Sequence, residues 1–191
     1  MFWRSRGLVN ECNSIEDIPR LATTSTAEEW AETARTLFDR QRYAQAMRCY
    51  DRAIMPRERD VARAYHLREQ ADAVSPADTR ARTAAFTLAA EGFADSAQRS
   101  TNAEEITAYY RIAAECHVAI ADHETAARYY LLAKEFTDSA VCYRKAGLFD
   151  NAVGVIQDNR GEVYKKAANA KIADGIIKVA KLHYLKKHQL E

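Results

Sequence analysis

Small and apolar residues recur three or four positions apart along most of the chain, the spacing that one face of a helix requires. The pattern is clearest over residues 25–54. There Trp30, Thr33, Ala34 and Leu37 mark one short helix, Tyr43, Ala46, Tyr50 and Ala53 mark a second, and Gln41-Arg42 joins them. Two such helices form an αα-hairpin, whose apolar face is too large to leave in water and too small to close a core alone. It must stack on further helices, so the pattern predicts an all-α chain of stacked antiparallel hairpins. Ser25 and Glu28 have the spacing of a capping box at the start of the first helix. Ala34 and Ala46 are small where two helices would cross.

The same spacing continues after Pro56. Residues 57–74 read as a helix, Ser75-Pro76 as the N-cap and first residue of the next, and Gly92 as its end. Residues 104–120 pair with 123–135. A further hairpin starts at Phe136 and runs through Ala140, Tyr143, Gly147, Phe149, Ala152 and Ile156. Residues 160–191 form two helices, or one broken near Gly175, with Val163, Ile176, Val179, Ala180, Leu182 and Leu185 among the expected core. Short echoes link these segments, such as Phe93-Ala94-Asp95-Ser96-Ala97 with Phe136-Thr137-Asp138-Ser139-Ala140. The echoes fall at unequal spacing, which implies irregular repeats. Residues 1–24 carry Phe2, Trp3, Ile15 and Ile18 and are expected to dock on the helices as an N-terminal segment. Residues 25–159 then hold the hairpins and 160–191 the last helices, all packed as one continuous domain.

Composition changes this picture little. The chain has 191 residues, 48% of them hydrophobic and 29% charged, with only six glycines and three prolines, as suits a helical globular protein. A formal net charge of +1 gives no global field for nucleic acid or membrane. No apolar run approaches the ~20 residues of a membrane span, and the N-terminus lacks the apolar core of a secretory signal. The expected setting is intracellular, in cytoplasm or nucleus. Cys12, Cys49, Cys116 and Cys142 form no C-x-x-C pair and read as buried free thiols.

The order Trp30, Ala34, Tyr43, Ala46, Tyr50, Ala53 and Pro56 resembles the tetratricopeptide repeat (TPR), departing from it at Thr33 and Gln41. The resemblance implies a TPR-like α-solenoid with a concave ligand groove on the first helix of each pair. In this chain that face would carry Glu28, Ala31, Arg35, Phe38 and Asp39, and in the next pair Ala108, Arg111, Glu115 and Val118. Ala31 and Arg35 stand where chaperone-binding members hold a carboxylate with lysine and asparagine, so that clamp is not implied. More widely, the opening Met1-Phe2-Trp3-Arg4-Ser5-Arg6-Gly7-Leu8-Val9, Glu28-Glu29-Trp30, Tyr43-Ala44-Gln45-Ala46, Tyr65-His66-Leu67-Arg68-Glu69-Gln70-Ala71 and Phe136-Thr137-Asp138-Ser139-Ala140 resemble the helical region that follows the helicase core in large fungal UvrD-like helicases. Those are similar to the TPR and ankyrin repeat-containing proteins of animals. None of that family's ATP-binding motifs has a counterpart in this chain.

The Walker, dinucleotide, zinc-protease and serine-hydrolase signatures are all missing from the sequence. The five histidines do not cluster, and Cys116-His117 point about 100° apart on a helix. No catalytic residue, metal or cofactor is therefore expected. The leading expectation is a non-enzymatic scaffold binding a protein or peptide, with an adjoining helicase domain as one such partner, through Glu28, Arg35, Phe38, Asp39, Arg111 and Glu115. The alternative is a nucleic-acid-binding accessory module. All nine lysines lie at or after Lys134, and Lys178, Lys181, Lys186 and Lys187 would form its basic surface.

Overall fold

The computed structural model describes residues 25–188. The expected docking segment 1–24, with Cys12 and Trp3, lies outside the described residues. Among those described there are ten helices and no strand, an all-α arrangement. They are α1 (Ala27–Asp39), α2 (Tyr43–Arg52), α3 (Pro56–Ala73), α4 (Thr79–Arg99), α5 (Ala103–Ala119), α6 (His123–Leu132), α7 (Phe136–Lys145), α8 (Phe149–Asp158), α9 (Arg160–Val163) and α10 (Ala167–His188). The chain divides into two compact units between His66 and Leu67, inside α3.

In the first unit, α1 packs on α2. Trp30, Ala34, Leu37, Ala46, Cys49 and Tyr50 share one core with Ala53 and with Ala62 of α3. Ala34 and Ala46 have no exposed surface at all, so the two backbones approach closely there while the large rings fill the flanks. Trp30 and Tyr50 face inward as the spacing predicts. Phe38, Tyr43 and Tyr65 close the edge of this core. Phe38 meets each tyrosine edge-on at 5.2 Å, and the two tyrosines stack at 4.9 Å.

In the second unit each helix packs on the next, α4 on α5, then α6, α7 and α8, and α10 folds back over α7 and α8. Phe86 and Phe93 of α4 and Ile112 of α5 are buried in the earlier part. Ala126, Ala140, Tyr143, Ala152, Ile156, Val163 and Ile176 form the later core. The fully buried Ser139 hydroxyl donates to the Ala127 carbonyl at 2.8 Å, tying α7 to α6.

The connectors explain the regularity of the short helices. Gln41, Ile54, Ala121, Lys134 and Gly147 all have positive φ, between 58° and 79°. At each, the N–H of the following residue bonds the carbonyl five positions back: Arg42 to Leu37, Met55 to Tyr50, Asp122 to His117, Glu135 to Tyr130 and Leu148 to Tyr143, at 2.8–3.0 Å. This is the Schellman closure of a helix end. At all five the closing residue stands immediately before the next helix, and at Arg42, Asp122, Glu135 and Leu148 its φ lies between −81° and −90°. Left-handed residues stand thirteen apart from Gln41 to Ile54, and again from Ala121 through Lys134 to Gly147. Each interval holds a ten-residue helix and a three-residue turn. In register, the fourth residue of α2, α6, α7 and α8 is Ala46, Ala126, Ser139 and Ala152, all fully buried. Where the echoes in the sequence suggest variable lengths, the structure has a fixed thirteen-residue step in these stretches.

Several predicted boundaries differ. The capping box is Thr26 with Glu29, one residue later than Ser25 with Glu28. Asp78, not Ser75, caps α4, because its carboxylate reaches the Ala81 N–H at 3.0 Å while Pro76 sits in the preceding turn. Helix α4 continues through Gly92 to Arg99. A mid-helix glycine costs only about 1 kcal/mol, less than the burial of Phe86 and Phe93 on either side supplies. The last stretch breaks at 164–166 and not at Gly175, since Ala173, Ile176 and Ala180 are all buried and hold α10 straight across that glycine. Val179, Leu182 and Leu185 are exposed, not core.

Candidate interaction surfaces

Helix α1 starts from its capping box, which orients the first turn so that Trp30, Ala34 and Leu37 point inward. Glu28, Arg35 and Asp39, spaced by seven and four residues, then fall in one exposed row of alternating charge. Ala31 is buried, and Phe38 is half-buried with its ring committed to Tyr43 and Tyr65. The open part of this face is therefore the charged row.

On α5, in the second unit, Arg111 is exposed. Glu115 is half-buried and pairs with Arg68 at 3.0 Å. Val118 packs against the later core and Ala108 is half-buried. Arg111 is the one of these four open to solvent.

Tyr110 and Tyr129 stack at 6.1 Å, and Tyr129 in turn stacks on His117 at 5.5 Å. Tyr109, Tyr110, Tyr129 and Tyr130 are all half-buried. His117 Nδ1 lies 3.1 Å from Asp122 Oδ2, while the other Asp122 oxygen accepts from the Thr125 N–H at 3.2 Å. Burial pushes the Asp122 carboxyl up, but the hydrogen bonds at Thr125 and the neighbouring imidazole outweigh it and hold the acid below its ordinary value. The pair thus closes the turn between α5 and α6 and caps α6.

Cys49, Cys116 and Cys142 are buried free thiols. Burial pushes Cys49 and Cys116 up to about 11 and raises Cys142, which keeps all three protonated and poorly nucleophilic near neutrality. Among the described residues no group of three His, Cys, Asp or Glu side chains is placed to hold a metal ion.

The basic end has a different shape from a phosphate-tracking stripe. Lys178, Lys181, Lys186 and Lys187 are all exposed. At about 100° per residue, however, Lys178 and Lys187 lie on opposite sides of α10. Lys165 bonds Glu162 at 2.6 Å, and Tyr164 donates to Asp174 at 2.8 Å. Between the lysines stand Ile172, Val179, Leu182 and Leu185, 39–59% exposed. Periodicity alone places the last three in the core. The lysines interleaved with them at positions 178, 181 and 186 are the signal that this side faces water.

No protein-family model matches the chain, and neither a curated protein nor a solved structure matches it. No helix among the described residues is long and apolar enough to cross a membrane.

Proposed function

We propose that the chain is a non-enzymatic protein–protein interaction scaffold, a TPR-like α-solenoid of irregular repeats that works inside the cell as the accessory region of a helicase-linked protein. One observation carries the reading: the thirteen-residue helix-and-turn step, with a fully buried small residue at the same place in each short helix. A chain that invests its buried residues in stacking helices leaves their outer faces as its working surface, as helical-repeat binders do. The exposed polar residues of α1 and α5 suit contact with a protein or peptide. The charged side chains there pair locally or stand in solvent, with no nucleophile–base couple among them.

Capture of partners on the immobilised full chain, with the bound set identified by mass spectrometry, tests the reading. Arg35→Ala and Arg111→Ala should each remove at least one partner while leaving helicity unchanged. If both variants retain every partner, the α1 and α5 faces are not the recognition surface. The helicase link has its own check: the gene should encode, or adjoin a reading frame encoding, helicase motifs.

A further inference from the structure

The outward side of α10 combines three features found together nowhere else among the described residues. First, Ile172, Val179 and Leu182 are exposed and lie seven and three residues apart, one stripe along the helix, beside the row of Ala173, Ile176 and Ala180 that is buried. Second, Gly175 sits in the middle of that stripe. A Cβ built there would meet nothing within 4 Å, so no neighbour among the described residues requires its absence. A mid-helix glycine lowers helix propensity, and it permits close approach of another backbone. Third, the helix carries Lys171, Lys178, Lys181, Lys186 and Lys187 against a single acid, Asp174, which Tyr164 already engages.

We infer that this face docks an acidic amphipathic helix of a protein partner, its apolar side chains laid along Ile172, Gly175, Val179 and Leu182 and its carboxylates meeting the flanking lysines. The inference rests on the scaffold reading and names the chemistry of one partner. Charge complementarity selects the occupant. A second copy of α10 would bring five lysines against five. A bilayer would have to take in Lys178, which lies on the same side as Leu182 and Leu185. Nucleic acid would set its phosphates against a row of aliphatic side chains, which have nothing to offer them.

The test uses the full chain and a fluorescein-labelled 22-residue peptide with leucines at helical spacing and glutamate and alanine between, followed by fluorescence anisotropy. The wild type should bind it, and a peptide with lysine in place of glutamate should not bind. Gly175→Leu should weaken binding at least ten-fold while raising the melting temperature, which separates loss of docking from loss of fold. Lys178→Glu with Lys181→Glu should weaken binding by a similar factor. Equal binding by wild type and Gly175→Leu overturns the inference, as does tighter binding to a 20-base-pair DNA duplex or to phosphatidylserine vesicles than to the peptide. If the captured partners of the scaffold experiment persist on Gly175→Leu and the peptide does not bind, the α10 face is excluded while the scaffold reading stands.

Discussion

Residues 27–55 and 107–135 are two versions of the same object, each a helix, a left-handed turn, a ten-residue helix and a second left-handed turn, set eighty residues apart. Ala34 matches Ala114 and Ala46 matches Ala126, and all four are fully buried. Around those fixed points the chemistry differs. The first version fills its interior with Trp30 and Leu37. The second has Tyr110 and His117 at the same places and binds the imidazole to Asp122. What the two share is therefore the small residues and the turn. What fills the space beside them is free to drift from greasy to polar, provided the polar group finds a partner.

Removing the large ring should break this comparison most severely. Trp30→Ala is expected to cost about 3–5 kcal/mol, whereas Tyr110→Ala, which starts half-buried, should cost clearly less. Urea unfolding followed by helicity measures both, and equal losses would contradict the packing described. Next in size, Ala46→Leu and Ala126→Leu should each destabilise by about 1–3 kcal/mol, since no space exists at either crossing. A neutral result at one site would mean that its helices are farther apart than their burial indicates.

The turns sharpen the comparison further. Ile54 and Lys134 occupy matching left-handed positions, and Ile54 is 84% exposed, so its side chain gains little there. A left-handed L-residue costs about 1–2 kcal/mol, and β-branching makes it worse. Ile54→Gly should therefore stabilise the chain by about 1 kcal/mol, and Gly147→Ile should do the reverse, read from the shift in melting temperature.

The second version should respond to acid through Asp122. Asp122 has its carboxyl held below the ordinary value of 3.8, so its stabilising effect is complete above that pH and is lost as pH falls through the lowered folded value. Asp122→Asn should flatten that part of the stability profile. At neutral pH Asp122→Ala should cost about 1 kcal/mol as a lost cap. Arg42, its counterpart, makes no side-chain cap bond. The smallest effect belongs to Glu115→Ala. It breaks a partly exposed ion pair with Arg68 and should cost under ~1 kcal/mol, diminishing with salt.

Much of the fold is legible in the sequence because helix existence follows from apolar spacing, and Ala34, Ala46, Trp30 and Tyr50 announce their burial by that spacing alone. Gly147 announces its turn. Gln41, Ile54, Ala121 and Lys134 do not, because none of them favours the left-handed region. Stacking of the flanking helices and the Schellman bonds impose the turn on them. Gly92 and Gly175 mislead in the opposite sense, since tertiary burial on both sides carries the helix through each. The surfaces are harder to read. Phe38 sits on the expected groove side of α1 yet half buries its ring, and Val179 and Leu182 fit a core stripe yet face water, because one-dimensional periodicity does not say which neighbours exist to cover a face.

The claim at the centre is that one backbone turn recurs whatever residue occupies it. Amide hydrogen exchange by NMR tests it directly at Arg42, Met55, Asp122, Glu135 and Leu148, whose N–H groups close the five turns at 2.8–3.0 Å. All five should be protected to the level of their adjoining helices. Protection at Leu148 beside Gly147, with exchange at loop rates for the four that follow residues other than glycine, would contradict it.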